Sequence, residues 1–388
     1  RQDPALLEQA AGNEFSARVF PIPARGRKEL IVSYSQEITP EAPYVVPLRG
    51  LPQVGKLDAV VARAGDDAPL LGQVHLENAA PAHDLAVDAA KLGAVDGVRA
   101  GELALLRVRP AAEAGRDPVE SALVLVDTSA SRALGFDAQI DGLRRLVGEV
   151  AAKEGAETPV AVLCFDQSSE VAFRGKAGAF GDEAVAKIRE RGAFGASDLE
   201  AALAGAAKLA QEGGLRRVLL VSDGVPTAGD VAGDKVWAAA RALKDAGVER
   251  VDALSIGGIR DESMLARVAR AGLARDGVVA EAGSEIVDLA RKLRSSTRSL
   301  DLRVEGASWQ YPRSVSGLQP GDEVLVYAEL APGEPVRLAA GGEPVRVPEL
   351  RTDERALLER GWAQAKIASL LEEHKKEGVQ EAIVKQVI

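Results

Sequence analysis

Three short runs of oxygen-bearing residues are the part of this sequence that could do chemistry. The first is Asp127-Thr128-Ser129-Ala130-Ser131, a D-x-S-x-S run in which alternate residues can point the same way. The second is Gly195-Ala196-Ser197-Asp198-Leu199, and the third is Ser222-Asp223-Gly224. Together they offer two or three carboxylates, several hydroxyls, and no imidazole or thiolate. That inventory suits a hard divalent cation, Mg²⁺ above all, and is wrong for zinc or copper. Each run alone has a plainer reading. Serines such as Ser131 at a strand-to-helix junction often cap helices, and Asp-Gly is an ordinary turn. The conjunction, with the three runs in order and each at a strand end or leading into a helix, favours the metal.

The elements that must position these runs are legible around them. Ala122-Leu123-Val124-Leu125-Val126 is a continuous apolar run, as expected of a strand buried on both faces. Phe136, Ile140, Leu143, Val147 and Val150 then recur at helical spacing. Strands are expected near 160–165, 170–173, 217–221, 251–256 and 277–280. Helices are expected near 182–190, 198–211, 234–245, 261–271 and 284–293. Strands alternating with helices of this length specify a doubly wound α/β domain with a mostly parallel sheet, whose ligand sites lie at the carboxyl ends of the strands. On both sides the texture is short strands broken by Pro and Gly, including 17–20, 30–34, 57–62, 72–76 and 103–108 before, and 301–305, 323–329 and 336–338 after. The expected organisation is an α/β domain at 121–297 inserted in a β-sandwich built from 41–120 and 298–350. A β segment at 1–40 precedes it, and a helical segment at 351–388 closes the chain.

Composition narrows the function. Forty-eight Lys and Arg stand against 58 Asp and Glu, a net charge of −10, with no concentrated basic patch, so nucleic acid is a poor partner. The single cysteine, Cys164, excludes an intrachain disulfide and a thiolate zinc cluster. His75, His83 and His374 show no metal-ligand spacing. No apolar run is long enough to span a bilayer. The chain starts at Arg1 without a signal-peptide pattern, so it reads as a piece of a longer protein. Ser255-Ile256-Gly257-Gly258 lacks both the dinucleotide and the Walker pattern. Cys164, Trp237 and Trp362 read as packing residues, and Asp166 has no evident partner.

The D-x-S-x-S run, the hydroxyl at Ser197 and the acid at Asp223 resemble the metal-ion-dependent adhesion site of von Willebrand factor type A domains, over about residues 121–296. The resemblance implies that Asp127, Ser129, Ser131, Ser197 and Asp223 hold the ion, directly or through water. Ser197 stands where that family usually has threonine. Asp198 reads instead as a helix-start acid. Pro4 to Gln9, Asn13-Glu14-Phe15, Phe20 to Pro23 and Tyr34 to Glu37 resemble the later half of a VIT (vault protein inter-alpha-trypsin) domain. Trp309-Gln310-Tyr311-Pro312, Gly321 to Val324 and the helix around Trp362 resemble the segment located after the type A domain in inter-alpha-trypsin inhibitor heavy chains. The chain has no N-x-S/T sequon, and its Ala, Arg and Gly content fits a high-GC bacterial member, N-terminally truncated.

These readings imply a non-enzymatic, cation-dependent protein-binding module. The ion would be Mg²⁺, with Ca²⁺ or Mn²⁺ as alternatives, and a partner's acidic residue would fill its open position. An extracellular, periplasmic or cell-surface setting fits such a module, with a cytoplasmic one left open. Two rivals remain: a metal-assisted hydrolase, which lacks a His or Lys general base near the runs, and a metal that only holds loops together. The Asp127 side chain is expected close to solvent, facing Asp223 with like-charge repulsion, so that Asp127→Ala leaves stability level or slightly raised.

Overall fold

The computed structural model describes residues 6–9, 15–18, 26, 29–32, 43–48, 51–63, 69–92, 95–110, 113–281, 285–352 and 355–377. Two compact units emerge. The first is dominated by a six-stranded sheet built from β1 (Ala122–Asp127), β2 (Pro159–Phe165), β3 (Ser169–Lys176), β4 (Arg217–Ser222), β5 (Arg250–Ser255) and β6 (Val279–Glu281). Its spatial order is β3-β2-β1-β4-β5-β6. All neighbours run parallel except β3, which pairs antiparallel with β2 at the edge.

Every residue of β1, β4 and β5 is buried, which is why Ala122 to Val126 is apolar throughout, although β4 and β5 also bury Arg217, Ser222, Arg250, Asp252 and Ser255. The side chains of β1 alternate between two cores. Val124 and Val126 pack with α1 (Phe136–Glu154), α2 (Asp182–Arg191) and α6 (Ile286–Leu293), through Ile140, Val147, Ile188 and Leu293. Leu123 and Leu125 pack with α3 (Leu199–Gly213), α4 (Asp234–Ala242) and α5 (Glu262–Ala269), through Leu199, Leu203, Val236 and Leu265. Helices therefore cover both faces of a mostly parallel sheet, the expected doubly wound arrangement. The helices after β4 are shorter than their spacing suggested, because α4 ends in a turn over 243–247 and α5 stops before Arg270.

At the amino ends of β4 and β5, Arg217 and Arg250 lie side by side in register. Two buried acids separate their charges. Asp252 accepts from Arg217 Nε at 2.9 Å and Arg250 Nε at 2.8 Å, and Asp117 accepts from Arg250 Nη1 at 2.8 Å. Burial pulls the Arg217 guanidinium below its ordinary range, a shift opposed by Asp252.

In the second unit, Leu103–Val108 pairs with Gly97–Ala100 and with Val324–Glu329, which also pairs with Trp309–Tyr311. Leu302 to Val304 pair with Leu338 to Ala340. Val54–Ala62 and Leu70–Ala79 form a long antiparallel hairpin. Trp309 and Trp362 meet edge to face at 6.2 Å, with the Lys366 ammonium over the Trp309 ring. The strand expected over 30–34 is not found: Leu30, Ile31 and Val32 are exposed and carry no strand, and 33–34 lie outside the described residues. The strand expected over 336–338 falls at Leu338–Ala340. Much of the VIT-like set at 4–37, and the end of the helical segment at 378–388, also lie outside the described residues.

Cys164 is completely buried on β2, and burial pushes its thiol up to about 12. At pH 8 the thiolate fraction is then about one in ten thousand. The native chain should not react with a disulfide reagent, and labelling should track global unfolding in urea; rapid labelling of the native chain would contradict this packing.

Candidate functional site

The strand order reverses at the seam between β1 and β4, because β1 continues to β2 on one side while β4 leads to β5 on the other. The crevice at the carboxyl ends of such a seam is where open α/β sheets place ligands. The loop after β1 carries Ser129 and Ser131 into it, the turn after β4 carries Asp223, and the loop entering α3 carries Ser197.

All five expected ligands converge there. Ser129 Oγ lies 3.1 Å from Ser131 Oγ, and Ser131 Oγ donates to Asp223 Oδ2 at 2.9 Å. Ser197 Oγ donates to Asp127 Oδ2 at 3.2 Å. The loops that carry these groups hold each other through their backbones. Ala130 N donates to Gly195 O, Phe194 N to Thr128 O, and both Thr227 N and Ala228 N to Ser197 O. The Thr227 hydroxyl accepts from Ser197 N at 2.8 Å. Gly224 has φ +75°, and a Cβ there would come within 2.6 Å of Asp261 O. The chain can therefore leave Asp223 in this direction only as glycine.

The cap reading of Ser131 fails, since α1 takes Gly135 as its N-cap and the Ser131 hydroxyl is spent on Asp223 and Ser129. The turn reading of Asp223 holds for one oxygen: Oδ1 accepts from Val225 N at 2.9 Å while Oδ2 faces the site. Asp198 caps α3, accepting from Ala201 N. Asp166 does have a partner, Arg191, whose Nη2 donates to it at 2.7 Å and whose Nε donates to Thr128 Oγ1 at 3.0 Å. Trp237 is 38% exposed under the Arg241 guanidinium, so it is no core residue.

Asp127 requires the largest correction. It is 0% exposed, not close to solvent. The backbone of Ser129 donates to Oδ1, and the hydroxyls of Ser197 and Ser222 both donate to Oδ2, the latter at 2.7 Å. Sequence reasoning missed Ser222 as a functional residue, although alternation along β4 could have placed it on the Asp127 side. It also missed Arg132, which is 5% exposed and ion-pairs with Asp223 at 2.5 Å. Burial pushes the Asp223 carboxyl above the ordinary range; the Val225 N–H and Arg132 oppose the rise, and the Asp127 charge adds to it.

Among the described residues no group of three or more His, Cys, Asp or Glu could hold an ion. Any ion at this seam would rest on two acids and the hydroxyls. The separations of 2.9 and 3.1 Å between Asp223, Ser131 and Ser129 are those of hydrogen bonds that hold the three oxygens together.

Residues 122–225 match the von Willebrand factor type A domain family, and that span contains all five expected ligands. No curated protein sequence matches the chain. Among solved structures, proximal thread matrix protein 1 from the mussel byssus is 21% identical with a TM-score of 0.35, over 46% of this chain and 48% of its own. The chain thus spans about half the length of that mussel protein. A von Willebrand factor type A protein from Catenulispora acidiphila is 15% identical over 70% of this chain and 80% of its own, with a TM-score of 0.35. Manganese-loaded TRAP protein from Plasmodium vivax is 14% identical over 59% of this chain and 100% of its own, also with a TM-score of 0.35.

Because Asp127 is buried and accepts three hydrogen bonds, Asp127→Ala should destabilise the chain by about 2–4 kcal/mol through the orphaned donors. Asp127→Asn, which keeps the shape and one acceptor, should cost less. Urea melts in EDTA measure both, and an alanine variant as stable as wild type would contradict the burial.

Proposed function

We propose that the chain is a divalent-cation-dependent protein-binding module. In this reading Asp127, Ser129, Ser131, Ser197 and Asp223 hold the ion, and a partner carboxylate completes its coordination. The observation that carries the reading is the convergence of these side chains at the β1–β4 seam with oxygen spacings of about 3 Å. The family match over 122–225 supports it independently. When bound, the ion supplies a Lewis-acidic positive charge that an anionic ligand can reach, kept strong because uncharged hydroxyls provide much of its surroundings. The chain's own residues do the rest: Ser222 and Ser129 N fix the Asp127 carboxylate, and Val225 N fixes Asp223.

The surroundings of the crevice suit a protein partner better than a small solute. Leu134 (98% exposed) comes just after the D-x-S-x-S loop, and Phe194 (71% exposed) precedes Ser197. Val231 and Ile259, on the loops after β4 and β5, are exposed as well. Four large apolar side chains on four loops at this edge fit a partner whose acidic residue is flanked by apolar ones. We further propose Mg²⁺ or Mn²⁺ over Ca²⁺, because a hydroxyl-rich donor set of low charge suits a small octahedral ion. The VIT-like and heavy-chain-like reading of the flanks remains a proposal resting on the quoted sequence motifs, since the family match stops at 225.

The test uses metal alone first. At a hundredfold excess over Kd, Mn²⁺ or Mg²⁺ should stabilise wild type by about 2.7 kcal/mol, or roughly 5–10 °C in the melting temperature of the unit that carries the site. Asp223→Ala should show no such shift. A synthetic peptide carrying one Glu between apolar residues should then bind in Mn²⁺ and not in EDTA, and its Gln counterpart should bind in neither. Phe194→Asp should weaken the peptide while leaving the metal shift unchanged. Glu and Gln peptides binding alike would remove the carboxylate from the mechanism.

A further inference from the structure

Arg132 directly succeeds the D-x-S-x-S run, and its guanidinium sits among the proposed ligands. Nη2 donates to Asp223 Oδ2 at 2.5 Å and Nε donates to Ser131 Oγ at 3.2 Å. Nη1 donates to Ile256 O at 3.0 Å, on the turn that leaves β5. One side chain thus touches two of the five residues that would hold an ion, and is anchored from behind by a third contact. The seat is shaped for it. Gly257 has φ +90°, and a Cβ there would stand 2.5 Å from Arg132 Nη1, so any larger residue would push the guanidinium out.

A guanidinium stays charged at any ordinary pH, so it cannot give up its proton to make room for a cation. A doubly charged ion held by Ser131 and Asp223 would lie within a few ångströms of this fixed positive charge. In a buried setting that repulsion is only weakly screened. The oxygens fit the ion, and the guanidinium does not.

We propose that Arg132 is a built-in counter-cation that competes with the divalent ion for Ser131 and Asp223. The ion enters only as the guanidinium leaves, so occupancy is coupled to movement of Arg132 away from the Ile256–Gly257 turn. Arg132 sets the threshold of cation concentration at which the site can capture a partner. This inference rests on the metal-binding reading above.

The test is calorimetric titration of the full chain with MgCl₂ and with MnCl₂, in wild type and Arg132→Met. The variant should bind at least tenfold more tightly. Its melting temperature in EDTA should fall below that of wild type, since Asp223 loses its ion pair, and metal should recover more of it. In case Arg132→Met fails to fold, wild type labelled with ¹⁵N-arginine supplies a second measurement. The Arg132 Nε–H resonance should be slow to exchange in EDTA, and should shift and lose protection as MgCl₂ saturates the site. Equal affinities in the two proteins, or an Arg132 resonance unmoved and still protected at saturation, overturn the competition while leaving the metal site standing. If neither protein binds either ion, the metal reading falls, and this proposal falls with it.

Discussion

The hydrogen bond from Ser222 Oγ to Asp127 Oδ2, 2.7 Å across the seam between β1 and β4, is the contact around which the site is assembled. It joins the ends of two strands that are consecutive neighbours in the sheet but 95 residues apart in the chain. Their parallel register brings Val221 beside Val126, so that both strands end at the same level. Only then can the β1 loop and the β4 turn face each other, with Ser131 reaching Asp223. The helices contribute by burying both faces of β1, which fixes its height, and α1 adds a direct tie from Gln139 Nε2 to Asp127 O. A change that altered the β1–β4 register by one residue would turn Asp127 to the opposite face and dissolve the constellation.

The two ends of the sheet handle buried charge differently. At the amino end, Arg217 and Arg250 alternate with Asp117 and Asp252, and Arg275 caps Asp117 at 2.7 Å. Cations there match or outnumber acids, and the geometry is closed by backbone carbonyls such as Ser295 O. Such networks are costly to break from one side but weak evidence of net stabilisation. At the carboxyl end two acids face a single guanidinium, which leaves an excess negative charge beside a set of hydroxyls. The same residue types thus make a self-compensated staple at one edge and an electrostatically unfinished site at the other.

The sheet and its helices were legible because their signals are local. A strand buried on both faces must be apolar throughout, as 122–126 is, and an amphipathic helix must repeat near 3.6, as Phe136 to Val150 does. The candidate site was legible in residue type, since hydroxyls and acids at strand ends are visible in the sequence. Their surroundings were not. The burial of Asp127 depends on a strand that arrives 95 residues later, and nothing beside Asp127 announces it. Nothing in the sequence around Arg132 marks it as buried. What draws it inward is the backbone of Ile256 and Gly257, more than 120 residues away. Asp166 found its partner in Arg191 on α2 for the same reason. Long-range pairing, not local propensity, decided each case that the sequence left open or pointed the wrong way.

The two acids of the site are therefore unequal, although the sequence presents them as a symmetric pair. Asp127 is neutralised by dipoles: one backbone N–H and two hydroxyls, all fixed by the sheet and its loops. Asp223 has one backbone donor and one hydroxyl, and burial disfavours its charged form. Its Oδ2 also accepts from the Arg132 guanidinium. In the proposed reading, a cation arriving at this seam meets Asp127 already hydrogen-bonded and competes with Arg132 for Asp223. On that proposal, Asp223 decides whether the crevice carries a planar, singly charged fork or a compact, doubly charged ion. In the proposed reading only the second offers a coordination position to a carboxylate from outside, while three of the fork's five N–H groups are held by Asp223, Ser131 and Ile256.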